Sequence, residues 1–124
     1  MSEKMLKVAI VGSRNFTDYE TLERFILARI DVAQIARVIS GGANGADTLA
    51  VAFAHKHNLW IQELRPDWAK YHRGAGPRRN QQIVDLAEVM FAFPMGESPG
   101  TRDSIRKARA KGIPVHVLEV PSQG

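Results

Sequence analysis

The chain contains no cysteine, which excludes disulfides, cysteine nucleophiles and thiolate metal sites. No apolar run approaches the roughly 20 residues of a membrane span, so no membrane partner is expected. Met1-Ser2-Glu3-Lys4 leads straight into an apolar segment, without the pattern of a secretory signal, and a cytoplasmic location is the expectation. There is no internal repeat, low-complexity tract or linker. Two signatures of phosphate binding, G-x-G-x-x-G and the Walker loop, are missing. So is the nucleophile elbow of the α/β-hydrolases. His55 and His57 stand two apart on a helical segment and point to different faces, while His72 and His116 are isolated. No metal site and no cofactor are expected.

What is present fits one domain with a real core, over residues 1–120, and a short C-terminal tail over residues 121–124. Hydrophobic residues make up 44% of the chain and charged residues 24%, as in ordinary globular domains. The net charge of +4 favours anionic partners. The charge is clustered. Residues 65–79 carry Arg65, Lys70, Arg73, Arg78 and Arg79 against Asp67, and residues 102–111 carry Arg102, Arg106, Lys107, Arg109 and Lys111 against Asp103. The second cluster also fits a solvated helix surface. The first shares its segment with Trp68, Tyr71 and His72.

Five short apolar runs read as strands: 6–11, 35–40, 59–64, 88–93 and 115–118. Between them lie helical patterns. Thr17 and Glu20 have capping-box spacing ahead of an apolar face of Leu22, Phe25, Ile26 and Ile30. A second helix runs to about His57 with Leu49, Ala52 and Phe53 facing inward, and Asn58 as its C-cap. Residues 65–76 read as a long loop, of the kind often functional. Pro77 starts a third helix and Thr101 a fourth, which Gly112 and Pro114 stop. Alternating strands and helices, with strands apolar throughout, predict an α/β fold. It is a single Rossmann-like domain with a five-stranded, mostly parallel sheet, in the order 3-2-1-4-5, flanked by helices.

In such sheets ligands bind at the carboxyl ends of the strands, and the unusual residues all fall there. Gly12-Ser13-Arg14 follows strand one. Ser40-Gly41-Gly42-Ala43-Asn44-Gly45-Ala46-Asp47 follows strand two. The aromatic and basic loop follows strand three, and Pro94 to Thr101 follows strand four. The turn after strand two is the focus, because glycines before a helix let backbone N–H groups approach an anion. The plain alternative is a tight turn with glycines for geometry. In the phosphate reading, the backbones of Gly41, Gly42, Ala43, Gly45, Gly100 and Thr101 donate N–H groups. Ser13 and Thr101 add hydroxyls, and Arg14 or Arg79 pairs with phosphate oxygens. Trp68 or Tyr71 stacks on a base, covers the pocket or packs the loop. Asp47 is more readily a charge on the helix dipole, or a hydrogen-bond partner holding the turn, than a ligand contact.

The combination of Gly12-Ser13-Arg14, the Ser40–Asp47 element, Asp67-Trp68, Tyr71, Gly76-Pro77-Arg78-Arg79-Asn80 and Gly100-Thr101 resembles the YspA-type branch of the SLOG superfamily, over nearly all of the chain. The resemblance implies a Rossmann-like fold that binds a nucleotide or nucleotide-derived ligand, as a sensor or processing module in bacterial or phage settings. It adds Asn80 to the ligand-binding residues. The superfamily is related to the LOG phosphoribohydrolases and to the DNA-processing protein DprA. A LOG-like reaction would release a base from a nucleoside monophosphate, with Asp103 and Arg79 in the catalytic roles. The paired glycines of that family's loop are absent here, however, and Asp103 is a shorter carboxylate than its glutamate. A DNA-binding role is a further, less favoured alternative. A homodimer is implied by resemblance alone.

Overall fold

The computed structural model describes residues 5–42 and 45–121. Readings made for residues 1–4, for Ala43 and Asn44 in the glycine turn, and for residues 122–124 of the tail fall outside the described residues. The strands are β1 (Leu6–Gly12), β2 (Ile35–Ser40), β3 (Trp60–Glu63), β4 (Val89–Phe93) and β5 (Val115–Val117). All four pairings are parallel, in the order β3-β2-β1-β4-β5. The predicted order therefore holds.

Successive side chains of a strand point to opposite faces, and β1 divides accordingly. Val8 and Ile10 join one core, with Leu22 and Ile26 of α1 (Tyr19–Leu27) and Phe53 of α2 (Ala46–Lys56). Ala9 and Val11 join the other, with Ile83 and Val84 of α4 (Ala75–Leu86) and Ile105 and Ala108 of α5 (Pro99–Lys111). The short helix α3 (Trp68–Tyr71) lies between β3 and α4. The first core is aromatic, with Phe16 stacked on Phe93 at 5.2 Å and Phe25 edge-on to Phe91 and Phe93. The second is rich in alanine, which lets α4 and α5 sit close to the sheet. Among the described residues, no helix is long and apolar enough to cross a membrane.

Four local expectations are corrected. Residues 65–76 are largely helical. Asp67 caps α3 by accepting from the Lys70 N–H at 3.1 Å, and a 3-10 turn over His72–Gly74 leads into α4 at Ala75, two residues before Pro77. The cap of α1 is Asp18, which accepts from the Thr21 N–H at 3.1 Å and its hydroxyl at 2.6 Å. A carboxylate with two donors displaces the Thr17–Glu20 box. A capping box does form at Asp31 and Gln34, around a 3-10 turn the sequence reading missed. On α2, Ala50 and Ala54 are buried and Ala52 is exposed. Finally, α5 starts at Pro99, so Gly100 and Thr101 stand in its first turn.

The basic residues of α5 hold α4 in place. Lys111 Nζ donates to the carbonyls of Val84, Asp85 and Ala87 at 2.8, 2.8 and 3.0 Å, satisfying carbonyls a helix end leaves unpaired. Lys107 Nζ donates to the Pro77 carbonyl at 3.0 Å, near the other end of α4. Arg102 clamps the β4–α5 loop through the carbonyls of Gly96 and Glu97 and pairs with Glu119. Much of the second basic cluster is thus engaged within the molecule.

Helices α1 and α2 are joined by Glu23. Its carboxylate lies 2.8 Å from Lys56 Nζ and 2.9 Å from His57 Nε2, and accepts from the Tyr19 hydroxyl at 2.9 Å. Hydrogen bonds from Lys56, then His57, bring its pKa down from 4.5 to about 2, against the opposing effect of burial. A carboxylate depressed on folding stabilises the native state above its unfolded pKa and loses that contribution as pH falls through the folded one. Glu23→Gln is therefore expected to be less stable than the parent near neutral pH, with the difference narrowing between about pH 4.5 and about pH 2. Urea midpoints measured across that range check this.

Candidate functional site

Where β1 and β2 end, the backbone comes close to its neighbours because side chains are missing at Gly12, Gly41 and Gly45. A Cβ on Gly12 would stand 2.7 Å from Ala46 Cβ and 2.8 Å from the Phe93 carbonyl. Gly45, at φ +69°, faces the backbone carbonyls of Ser13 and Arg14, where no Cβ fits. The Ala46 N–H donates to the Ser13 carbonyl at 3.1 Å. The start of α2 is therefore seated on the β1 turn, and its first N–H group is taken up within the protein.

Beside this junction lies a cavity of about 410 Å³, within the usual range for small-molecule sites. Its floor is the carboxyl edge of the sheet. One wall is Gly12, Ser13, Arg14 and Asn15. A second is Gly41, Asp47, Arg79 and Asn80. The third is the β4–α5 connection, from Met95 to Ser98 and on through Pro99, Gly100 and Thr101 to Ser104.

Arg79 is a fixed charge in the site. Its Nη1 donates to the Gly41 carbonyl at 2.7 Å, and its Nε donates to Asn80 Oδ1 at 3.1 Å. A Cβ on Gly41 would lie 2.8 Å from the Arg79 Cζ and 3.1 Å from an Asp47 carboxylate oxygen. Gly41 is thus the space in which Arg79 and Asp47 meet. Burial lowers the Arg79 pKa below the usual arginine range. The Asp47 charge opposes that effect, and the Arg14 charge adds to it. Two guanidinium groups and one carboxylate in a shared cleft leave it cationic, since arginine stays protonated.

Asn80 links both walls. Its Nδ2 donates to Asp103 Oδ2 at 3.0 Å and to the Gly100 carbonyl at 3.3 Å. Asp103 also accepts from Lys107 at 2.6 Å and Arg106 at 3.2 Å. Burial raises the Asp103 pKa, but the hydrogen bonds from Lys107 and Asn80, with the charges of Lys107 and Arg106, outweigh it, and the net shift is downward. The third wall is the start of a 13-residue helix. Pro99 has no N–H, and the N–H groups of Gly100 and Thr101 stand at the positive end of the dipole without an intrahelical partner. A Cβ on Gly100 would meet nothing within 4 Å, so the backbone there is open to an approaching group. Ser98 donates to the Thr101 hydroxyl at 2.8 Å.

Of the residues singled out from sequence, Gly12, Ser13, Arg14, Gly41, Asp47, Arg79, Asn80, Gly100 and Thr101 line this one cavity. Gly42, at φ +70°, packs against the Arg65 side chain, and Gly45 against the Ser13–Arg14 backbone. Trp68 and Tyr71 stand outside the cavity lining, as does Asp103. Asn15, Met95, Ser98 and Ser104 line it without having been singled out. Two of them carried a signal. Ser98 precedes Pro99 in a cap-then-proline pattern, and Ser104 lies three residues after Thr101, on the same helix face. Among the described residues, no group of three or more His, Asp or Glu side chains is arranged to hold a metal ion.

A parallel sheet of order 3-2-1-4-5, with helices on both faces and a polar cleft at the carboxyl ends of its inner strands, defines a Rossmann-like α/β domain. Within that class, the chain belongs to the YspA, cpYpsA-related SLOG family, whose model matches residues 6–71. It is 36% identical over 118 residues to the Gene 61 protein of Mycobacterium phage D29, covering 90% of this chain and 94% of that protein. Among solved structures, it is similar to DNA processing protein A from Helicobacter pylori, described for its single-stranded DNA binding mode. The TM-score is 0.69 at 24% identity, over 94% of this chain and 66% of that longer one. This second likeness is one of fold.

The glycines separate into two kinds, and substitution distinguishes them. Gly12→Ala is expected to destabilise the protein by about 1–3 kcal/mol, because the new methyl meets backbone and Cβ atoms that cannot swing aside. Gly100→Ala is expected to be neutral or to stabilise by up to about 1 kcal/mol, since it adds a better helix former in open space. Chemical denaturation of the two variants makes the comparison.

Proposed function

We propose that this domain binds a nucleotide or nucleotide-derived ligand, with its phosphate in the carboxyl-edge cavity, as a sensing or processing module. The carrying observation is the guanidinium of Arg79, held by Gly41 and Asn80 and lining the same cavity as the open first turn of α5. A phosphate between them would receive charge-assisted hydrogen bonds from one side and backbone N–H groups from the other. In this reading Ser13, Arg14 and Thr101 complete the anion site, and Gly41 and Gly12 serve by leaving room. The glycine turn contributes mainly through Gly41, while Gly42 and Gly45 pack against protein. Membership of a SLOG family supports the ligand class, as does a fold shared with a protein described as binding single-stranded DNA.

A phosphoribohydrolase would need a carboxylate facing the sugar. Asp103 is bonded to Asn80, Lys107 and Arg106 away from the lining, and the carboxylate that does line the cavity belongs to Asp47. Binding without turnover is the better supported reading.

Thermal-shift measurements with nucleoside mono- and diphosphates, cyclic nucleotides and ADP-ribose test the proposal. A ligand at a hundred times its Kd contributes about 2.7 kcal/mol, enough to raise Tm by several degrees. Arg79→Gln is expected to abolish the shift while the protein stays folded. If no compound in the panel raises Tm, the proposal fails. Chromatography of the same mixtures for free base addresses turnover. Base released by the parent and not by Asp103→Asn would reinstate the hydrolase reading.

A further inference from the structure

Among the described residues, no aromatic side chain lines the cavity. A nucleotide whose phosphate sits there has no ring to stack on inside it. The aromatic rings of this edge lie just outside, at the corner of α3 and α4. Trp68 is 54% exposed, although it is the largest apolar side chain in its segment. A Cβ on Gly76 would lie 3.7 Å from Trp68 Cη2, which places the indole on the first turn of α4, the turn leading to Arg79. Beside it, the Tyr71 ring has the Arg78 guanidinium at 4.3 Å and Lys70 Nζ at 5.1 Å from its centre. Arg65 packs on Gly42, next to the cavity wall at Gly41.

The two basic clusters differ in what they do. Lys107, Lys111 and Arg102 are bound to carbonyls and carboxylates of their own chain. In the other cluster Lys70, Arg73 and Arg78 are exposed, and Arg65 reaches Glu63 at 3.4 Å with its side chain largely in solvent. An exposed indole, an arginine-faced phenol ring and surrounding cations are the parts of a stacking platform for bases joined by phosphates. We infer that the α3–α4 corner is a base-stacking platform for a single-stranded nucleic acid. One phosphate of the strand occupies the cavity, and neighbouring bases lie on Trp68 and on the Tyr71–Arg78 pair. The placement of that phosphate rests on the nucleotide reading of the cavity; the platform itself does not.

Trp60 supplies an internal control. It is 75% exposed and has Arg37 at 5.6 Å from its ring, but it stands at the amino end of β3, the edge of the sheet away from the cavity. The chain has two tryptophans, so Trp60→Phe makes Trp68 the sole indole. Titrating that variant at low salt with oligothymidylate and oligouridylate of about eight nucleotides reads the stacking directly. Saturable quenching of Trp68 fluorescence by either strand, weakening as salt is added, is the expected result. In the parent background, Trp68→Ala is expected to weaken oligonucleotide binding by roughly 5- to 100-fold, with Trp68→Phe restoring most of it. The Trp60→Phe variant should keep the mononucleotide thermal shift of the parent. No quenching by either strand overturns the inference. Unchanged oligonucleotide affinity in folded Trp68→Ala and Tyr71→Ala variants does so too. Quenching by oligonucleotides without any mononucleotide shift would leave the platform standing and remove the cavity reading. The reverse pattern would remove the platform alone.

Discussion

The structure depends on backbone meeting backbone where β1, β2 and α2 converge. Gly12 and Gly45 leave room for the Ser13 carbonyl to accept from the first N–H of α2 and for Ala46 and Phe93 to close in on the end of β1. A side chain at either glycine would push α2 off the β1 turn and loosen the core it shares with α1. The same closeness brings Gly41 to the rim, where its missing side chain is replaced by a guanidinium from α4. The cleft is thus a consequence of how the sheet edge is closed. The residues that allow the fold to close are also those that bring two arginines and one carboxylate to one small space.

Electrostatics in this chain divides by function. In α5, positive side chains act as hydrogen-bond donors to α4, at Pro77 near one end and at Val84, Asp85 and Ala87 at the other. These contacts fix the axial register of the two helices, and with it the distance between Arg79 and the first turn of α5. Positive charge at the α3–α4 corner has no such internal role for Lys70 and Arg78 beyond facing Tyr71. The corner holds exposed cations near its rings, while Arg102, Lys107 and Lys111 of the neighbouring helix are engaged within the chain, and it is this difference that the inferred stacking platform uses. Net charge alone does not distinguish these two uses.

Strand order, both cores and most of the cavity wall were legible from the chain, because they follow from alternation along strands and from glycine, proline and hydroxyl residues at strand ends. The rest was hidden for identifiable reasons. Helix α3 has four residues, too few for a periodic signal, and its cap is a side-chain bond from Asp67. The contacts of Lys107 and Lys111 join residues more than 20 apart in sequence, so their charge read as a solvated face. Trp68 and Tyr71 were placed near the site but not relative to the cavity, since that depends on where α3 folds. Local pattern also cannot show that Gly42 lies against the Arg65 side chain and Gly45 against the Ser13–Arg14 backbone.

The network through Asn80 decides how the cleft should be understood. Asn80 accepts from Arg79 through its oxygen and donates through its nitrogen to Asp103 and the Gly100 carbonyl. One amide thereby fixes the arginine on one wall and the helix start on the other. Asp103 belongs to that arrangement as an ionised acceptor, kept so by Lys107 and Arg106. A carboxylate with several donors has little basicity left for proton transfer. It is well suited to holding an amide in one orientation, and so to keeping Arg79 pre-organised before any ligand arrives. Among the described residues the cleft thus sets a guanidinium held at Gly41 and Asn80 in one cavity with an open backbone at Gly100, the arrangement on which the proposed anion site rests.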